Sequence, residues 1–184
     1  MFTCRVLIAC PGHLADEHLP EIEGLSSFAG DIFHSARWKH DVALKGKRIG
    51  VVGSGASAIQ VVPEMAQPAS ELMVFQRSAP YIIPRANRRY TEAEKRMFAR
   101  DPSLMDRLRS ELFWTGEYNF AQRRNVPRFV REAKEMALAH LHSQVADPAL
   151  RAALTPDYEI GCKRVLISND YFPALTRSHV RLEA

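Results

Sequence analysis

The 184-residue chain predicts an α/β fold built around one βαβ unit, and three observations carry that expectation. Residues 48–58, Arg-Ile-Gly-Val-Val-Gly-Ser-Gly-Ala-Ser-Ala, read as a strand that enters a glycine-rich turn and continues as a helix. Leu72 to Phe75 supplies a second strand after that helix. The stretch from Thr91 to Leu154 reads as helical and interrupts the alternation. The first two observations make a Rossmann-like nucleotide-binding unit, and the third makes a helical insertion in it.

Taken in chain order, Val6 to Cys10 is an apolar run that reads as a strand. It is shorter than the roughly 7 to 15 apolar residues of a signal-peptide core. No run is long enough to span a membrane. Phe28 to Trp38 reads as a strand with aromatic ends and a single histidine, His34. Ile49, Val51 and Val52 then form a β-branched run into the turn, where two glycines and an alanine occupy the G-x-G-x-x-[GA] positions. Gly53 permits the tight turn, Gly55 allows backbone amides to approach a pyrophosphate, and Ala58 is small enough for the helix to pack on the strand. With Ser54, Ala56 and Ser57, these are the candidate cofactor-binding residues of the turn. In the following helix Ala58, Ile59, Val62 and Met65 recur at the spacing of one buried face.

The residue that closes the second strand selects the dinucleotide. A carboxylate there suits the ribose 2′-hydroxyl of NAD, whereas a cation suits a 2′-phosphate. The chain has Gln76-Arg77-Ser78, so Arg77 and Ser78 are the candidate phosphate clamp and NADP(H) is the expected cofactor. The helical insertion opens on Thr91 with Glu94 three residues on, a capping-box spacing. Within it Phe129, Ala133, Met136, His140 and Leu141 recur at helical spacing, bordered by Arg123, Arg124, Arg128 and Arg131. Val165 to Ile167 reads as a late strand behind Lys163-Arg164. The expected organisation is connector strands over 1–40, a βαβ unit over 41–90, the insertion over 91–155, and a return to the sheet over 156–184.

A net charge of +4 raises nucleic acid as a partner, but no nucleic-acid motif is present and aromatics are not interleaved with the basic cluster. A domain that must attract a polyanionic dinucleotide is basic in any case. Cys4, Cys10 and Cys162 are widely spaced and odd in number, which points to a reducing, cytoplasmic compartment and to buried, inert thiols. His140 and His142 stand two apart on a helix and point in different directions, so no metal site is expected.

With the glycine turn behind it, the segment Phe28 to Trp38 resembles the F-x-G-x-x-x-H-x-x-x-W fingerprint of flavin-dependent Baeyer-Villiger monooxygenases, with Phe28, Gly30, His34 and Trp38 in the matching positions. The resemblance extends over nearly the whole chain. Val6 to Leu25 is similar to the segment that precedes the fingerprint, with Gly12, Leu14, Pro20, Ile22 and Gly24 in register. Val74 to Ser78 resembles the second strand and its 2′-phosphate clamp, followed by Pro84-Arg85. Ile160-Gly161-Cys162-Lys163-Arg164 resembles the segment with the active-site lysine-arginine pair, followed by Tyr171 to Leu175. The chain departs from the pattern at Lys39, where Pro or Asp is usual, at Cys10-Pro11, and at Glu17 and Glu23. Lys39 leaves a neighbouring class, the heteroatom-oxidising flavin monooxygenases, open.

The resemblance implies an enzyme that uses NADPH to reduce FAD and then inserts an oxygen from O2 beside a ketone carbonyl, giving an ester or lactone. It implies that Arg164 stabilises negative charge at the oxygenated flavin, and that Lys163 faces the 2′-phosphate alongside Arg77. His34 would be a functional linker residue that couples domain motion to turnover. Such enzymes carry two nucleotide-binding domains, and Gly53 and Gly55 make the only G-x-G among the nine glycines here. The expectation is therefore an NADPH-domain fragment without its FAD half, inactive alone. A non-catalytic NADP(H)-binding module is the remaining alternative.

Overall fold

The computed structural model describes all residues except 1, 2, 9, 11, 13–15 and 119. Pro11 and Leu14, which enter the family resemblance, lie outside the described residues, as does the side chain of Arg123 in the basic border. The chain divides into two compact units, Met1–Ala43 and Leu44–Ala184.

Among its described residues the first unit has no strand and no buried side chain. Val6, Leu7 and Ile8 are exposed, and the described residues of the range 6–10, where a strand is expected, are not in one. An apolar run becomes a strand only where a neighbour completes its hydrogen-bond ladder, and none of the described residues does so here. The strand expected over 28–38 is likewise replaced by local structure: extended backbone and a short 3-10 helix, Ser35–Arg37. His34 Nδ1 caps this turn by accepting from the Ala36 amide at 3.1 Å. Trp38 packs edge-on against Phe33 with ring centroids 5.0 Å apart. At Gly30 an added Cβ would lie only 2.5 Å from the Phe28 ring, so the glycine is what lets that ring fold back.

The second unit runs β1 (Arg48–Val52), α1 (Ala58–Met65), β2 (Glu71–Phe75), β3 (Ile82–Ile83), α2 (Glu92–Arg100), α3 (Ser103–Tyr118), α4 (Phe120–Arg123), α5 (Pro127–Gln144), α6 (Pro148–Ala153), β4 (Leu166–Ile167), α7 (Tyr171–Leu175) and β5 (Val180–Glu183). It is α/β with parallel strands throughout. β2 lies between β1 and β5, in register Ile49 to Leu72 and Val51 to Val74 on one side, and Leu72 to Val180 on the other. Leu72 and Val74 are completely buried, as the central strand of a parallel sheet requires. α1 seals one face with Ala58, Ile59, Val62 and Met65, the row read from the sequence.

Of the two late strands, β4 pairs in parallel with β3 as a separate two-stranded ladder, and β5 joins β2 in the larger sheet. Helices α2 to α6 lie between β3 and β4. Thr91 and Glu94 make a complete capping box at the start of α2. On α5 the buried row is Ala137, His140 and Leu141, and Ala133 and Val130 pack beside it. Met136, expected on that row, is exposed, because the row in contact with Tyr81 and Ile160 is turned by one position. All three cysteines are exposed and free, which corrects the expectation of buried thiols. His140 is a core histidine whose Nε2 lies 2.8 Å from the Ser168 carbonyl oxygen. Among the described residues no group of three or more His, Cys, Asp or Glu is placed to hold a metal, and no helix is long and apolar enough to cross a membrane.

Candidate nucleotide-binding site

The site begins where β1 ends. Gly53 has φ +114°, a conformation that side-chain-bearing residues adopt only with strain, and its amide donates to the Phe75 carbonyl at 2.9 Å. The turn is thereby tied to the end of β2. Gly55 is different: its φ is not positive, and an added Cβ would meet nothing within 4 Å. The protein alone places no demand for glycine there. Ser57, at the N-cap of α1, makes no side-chain cap, so the first amides of this helix are left without one. The Ile59 and Gln60 amides donate to the Gly55 and Ser57 carbonyls at 3.1 Å, and the space left open at Gly55 lets an anion approach the helix start.

Two further loops close on this turn. Ser54 Oγ donates to the Ser78 carbonyl at 2.9 Å, so that hydroxyl proton is committed to holding the turn against the end of β2. Lys163 Nζ donates to Ser78 Oγ at 2.7 Å, from the loop between α6 and β4. Because the Ser78 hydroxyl accepts this bond, its own proton remains to donate outward. Lys163 Nζ also lies 4.4 Å from the centre of the Tyr158 ring. Tyr158 is held by Tyr81, whose hydroxyl donates to the Tyr158 carbonyl at 2.9 Å and whose ring meets it edge-on at 5.5 Å.

Ser54, Ser78 and Lys163, all read from the sequence, are thus joined, with Arg77 next in the chain to Ser78. The Arg77 and Arg164 side chains are exposed and make no hydrogen bond or ion pair among the described residues. Ala56 and Ser57 complete the turn, and Ala58 is buried as the first residue of α1. His34 belongs to the other unit. The sequence reading missed Tyr81 and Tyr158, since nothing in their spacing marks them as the support of a lysine. The segment 159–162 also lines an open cleft of 530 Å³ with Pro127 and Val130.

Residues 3–139 match a family model described as flavin-binding monooxygenase-like. The chain belongs to this family. A flavin-binding monooxygenase relative, the Baeyer-Villiger monooxygenase of Pseudomonas aeruginosa, is 39% identical over 178 residues, covering 97% of this chain and 34% of the relative. A Baeyer-Villiger monooxygenase of Streptomyces coelicolor is 38% identical over 182 residues, covering 99% and 35%. Among solved structures, an oxidised steroid monooxygenase bound to NADP superposes with a TM-score of 0.72 at 31% identity, over 90% of this chain and 38% of that one. The chain spans about a third of the length of the curated relatives it matches.

Proposed function

We propose that this member of the flavin-binding monooxygenase family forms the NADP(H)-binding part of a FAD- and NADPH-dependent enzyme that inserts oxygen beside a ketone carbonyl, yielding esters or lactones. One observation carries the reading: the 2.7 Å bond from Lys163 to Ser78 draws a second cation to the strand end that already bears Arg77, beside the glycine turn. Parallel strand order, turn and crossover helix support reading the unit as Rossmann-like. The residues fit the dinucleotide: Gly55 leaves room for a pyrophosphate that the protein itself does not fill, and the cations suit a 2′-phosphate.

The nicotinamide supplies a hydride and the flavin supplies the oxygen chemistry when both are bound. The chain's own residues bind and orient. Gly53 shapes the turn, while the amides of Gly55, Ala56 and Ser57 face the pyrophosphate, with Ala58 keeping α1 close to β1. Ser54 holds the turn to Ser78, and Arg77, Ser78 and Lys163 hold the 2′-phosphate. Arg164 offers an unpaired guanidinium to negative charge developing at the oxygenation site. His34 positions the linker segment; accepting at Nδ1 places its proton on Nε2. In a complete enzyme Arg164→Ala abolishes oxygenation and spares NADPH binding. A ketone-like substrate and O2 are the proposed reactants, FAD is bound by a part outside this sequence, and the three exposed free thiols suit a reducing cytoplasm.

Lys39, following the fingerprint tryptophan, leaves a second reading open, a heteroatom-oxidising flavin monooxygenase. Calorimetric titration of the chain with NADP⁺, NAD⁺ and FAD tests the proposal. Binding of NADP⁺ alone supports it; binding of FAD, or equal affinity for both nicotinamide nucleotides, refutes the assignment.

A further inference from the structure

We propose that Tyr158 determines nucleotide specificity: its ring and the Ser78 hydroxyl together hold the Lys163 ammonium at the end of β2, so that a 2′-phosphate meets a cation already in place. The inference rests on the NADP(H) reading and adds to it a residue that touches the lysine rather than the nucleotide, a positioning residue.

Lysine is a compact, strongly hydrated charge on a flexible stem, and an exposed lysine ordinarily samples many rotamers. Here two contacts restrict it. Nζ is 2.7 Å from Ser78 Oγ and 4.4 Å from the Tyr158 ring centre. Each contact leaves the ammonium charged and leaves at least one N–H for a ligand. The ring is itself fixed, because Tyr81 is buried against Ala137 and Ile160, accepts the Leu166 amide at its carbonyl at 2.8 Å, and donates to the Tyr158 carbonyl. Burial pushes the Tyr158 hydroxyl above its ordinary value, so the ring stays a neutral phenol at physiological pH. Of the two flanking carboxylates, Glu159 pairs with Lys134 at 3.2 Å, and Asp157 makes no hydrogen bond or ion pair with Lys163 among the described residues. The order of contacts is Tyr81 to Tyr158 to Lys163 to Ser78, from buried core to open site. Preorganisation of this kind raises affinity by removing the ordering cost at the moment of binding.

The test uses the 184-residue chain with Tyr158→Leu and Tyr158→Phe, titrated with NADP⁺ and NAD⁺. Tyr158→Leu weakens NADP⁺ by about two- to fivefold and leaves NAD⁺ unchanged, while Tyr158→Phe, which keeps the ring face, restores wild-type selectivity. Equal losses for both nucleotides indicate a merely structural role and overturn the inference, as does an undiminished NADP⁺ preference in Tyr158→Leu. If the wild-type chain shows no preference for NADP⁺, the underlying reading falls and this inference with it. A second readout needs neither nucleotide nor a folded leucine variant. Lys163 side-chain resonances next to Nζ, assigned with Lys163→Arg, lie upfield in the wild type and in Tyr158→Phe because Nζ sits 4.4 Å from the ring centre. Ordinary lysine shifts in the wild type overturn the inference.

Discussion

The ammonium of Lys163 donates to the hydroxyl of Ser78 across 85 positions of sequence, at 2.7 Å. That bond joins the loop before β4 to the segment after β2 and brings a second cation to the stretch that carries Arg77. Both side chains are exposed, which avoids the desolvation that makes buried charge costly.

Arg77 is exposed and unpaired within the described protein, so its removal costs the fold little. Arg77→Ala weakens NADP⁺ by about 1.5–3 kcal/mol, the value of a charge-assisted bond, and leaves NAD⁺ nearly unchanged. Parallel titrations check this, and equal losses for the two nucleotides would refute the phosphate clamp.

The two glycines of the turn respond in opposite ways to alanine. Gly53→Ala forces a side chain onto φ +114° and destabilises the fold by about 1–3 kcal/mol. Gly55→Ala meets no protein atom within 4 Å, so stability holds while nucleotide binding is lost. Chemical denaturation and titration on the same two proteins separate the effects. A strongly destabilised Gly55→Ala would show that the protein, and not a ligand, requires that glycine.

Tyr171 is completely buried, and its hydroxyl has no protein partner among the described residues. Burial pushes its ionisation up from 10.0 to about 12. The neutral form is thus favoured in the folded state, and the associated stability is fully present below pH 10.0 and lost as pH rises through about 12. Tyr171→Phe removes both the buried orphan and this alkaline loss, raising unfolding free energy by about 1 kcal/mol at neutral pH. Urea unfolding at neutral and alkaline pH measures it; a less stable phenylalanine variant would reveal a partner for the hydroxyl.

At the start of α2, Glu94 accepts from the Arg88 guanidinium at 2.6 and 2.9 Å and from the Thr91 amide at 2.8 Å. The Arg88 bond first, then those from Thr91, lower its carboxyl to about 2 from 4.5. The capping contribution is present above pH 4.5 and disappears as pH falls through about 2. No residue of α2 is buried, so the loss is local fraying and not global unfolding. Thr91→Ala, worth about 1 kcal/mol to the helix, speeds amide exchange across α2 at neutral pH. Unaltered exchange in that variant counts against the capping box as the element that holds α2.

Elements specified by local chemistry were legible in the sequence. The β-branched run of β1, the small-residue turn and the apolar row of α1 each follow from backbone sterics or helical periodicity, and the structure has them in place. So does the capping box, whose partners are three residues apart. Two expected strands failed for one reason: Val6 to Cys10 and Phe28 to Trp38 have strand-like composition, but strand formation depends on a neighbour that composition does not supply. Met136 was assigned to the wrong face because periodicity sets the angle between residues without setting which row meets Tyr81. The thiols were misplaced similarly, since the type preference of cysteine for interiors says nothing of a particular loop.

By itself the sequence determined the α/β class, the glycine turn at Gly53 and Gly55, and the residue types, Arg77, Ser78, Lys163 and Arg164, from which a phosphate site can be made. The tertiary structure alone decided that Lys163 reaches Ser78, that Tyr158 lies beneath that lysine, and that β4 pairs with β3 and not with the larger sheet. The division is physical. A turn or a cap is a contest among a few neighbouring dihedrals and hydrogen bonds, so residue type settles it, whereas contacts across 85 positions follow from strand register and the packing of α5 on Tyr81, which are settled by the whole fold at once.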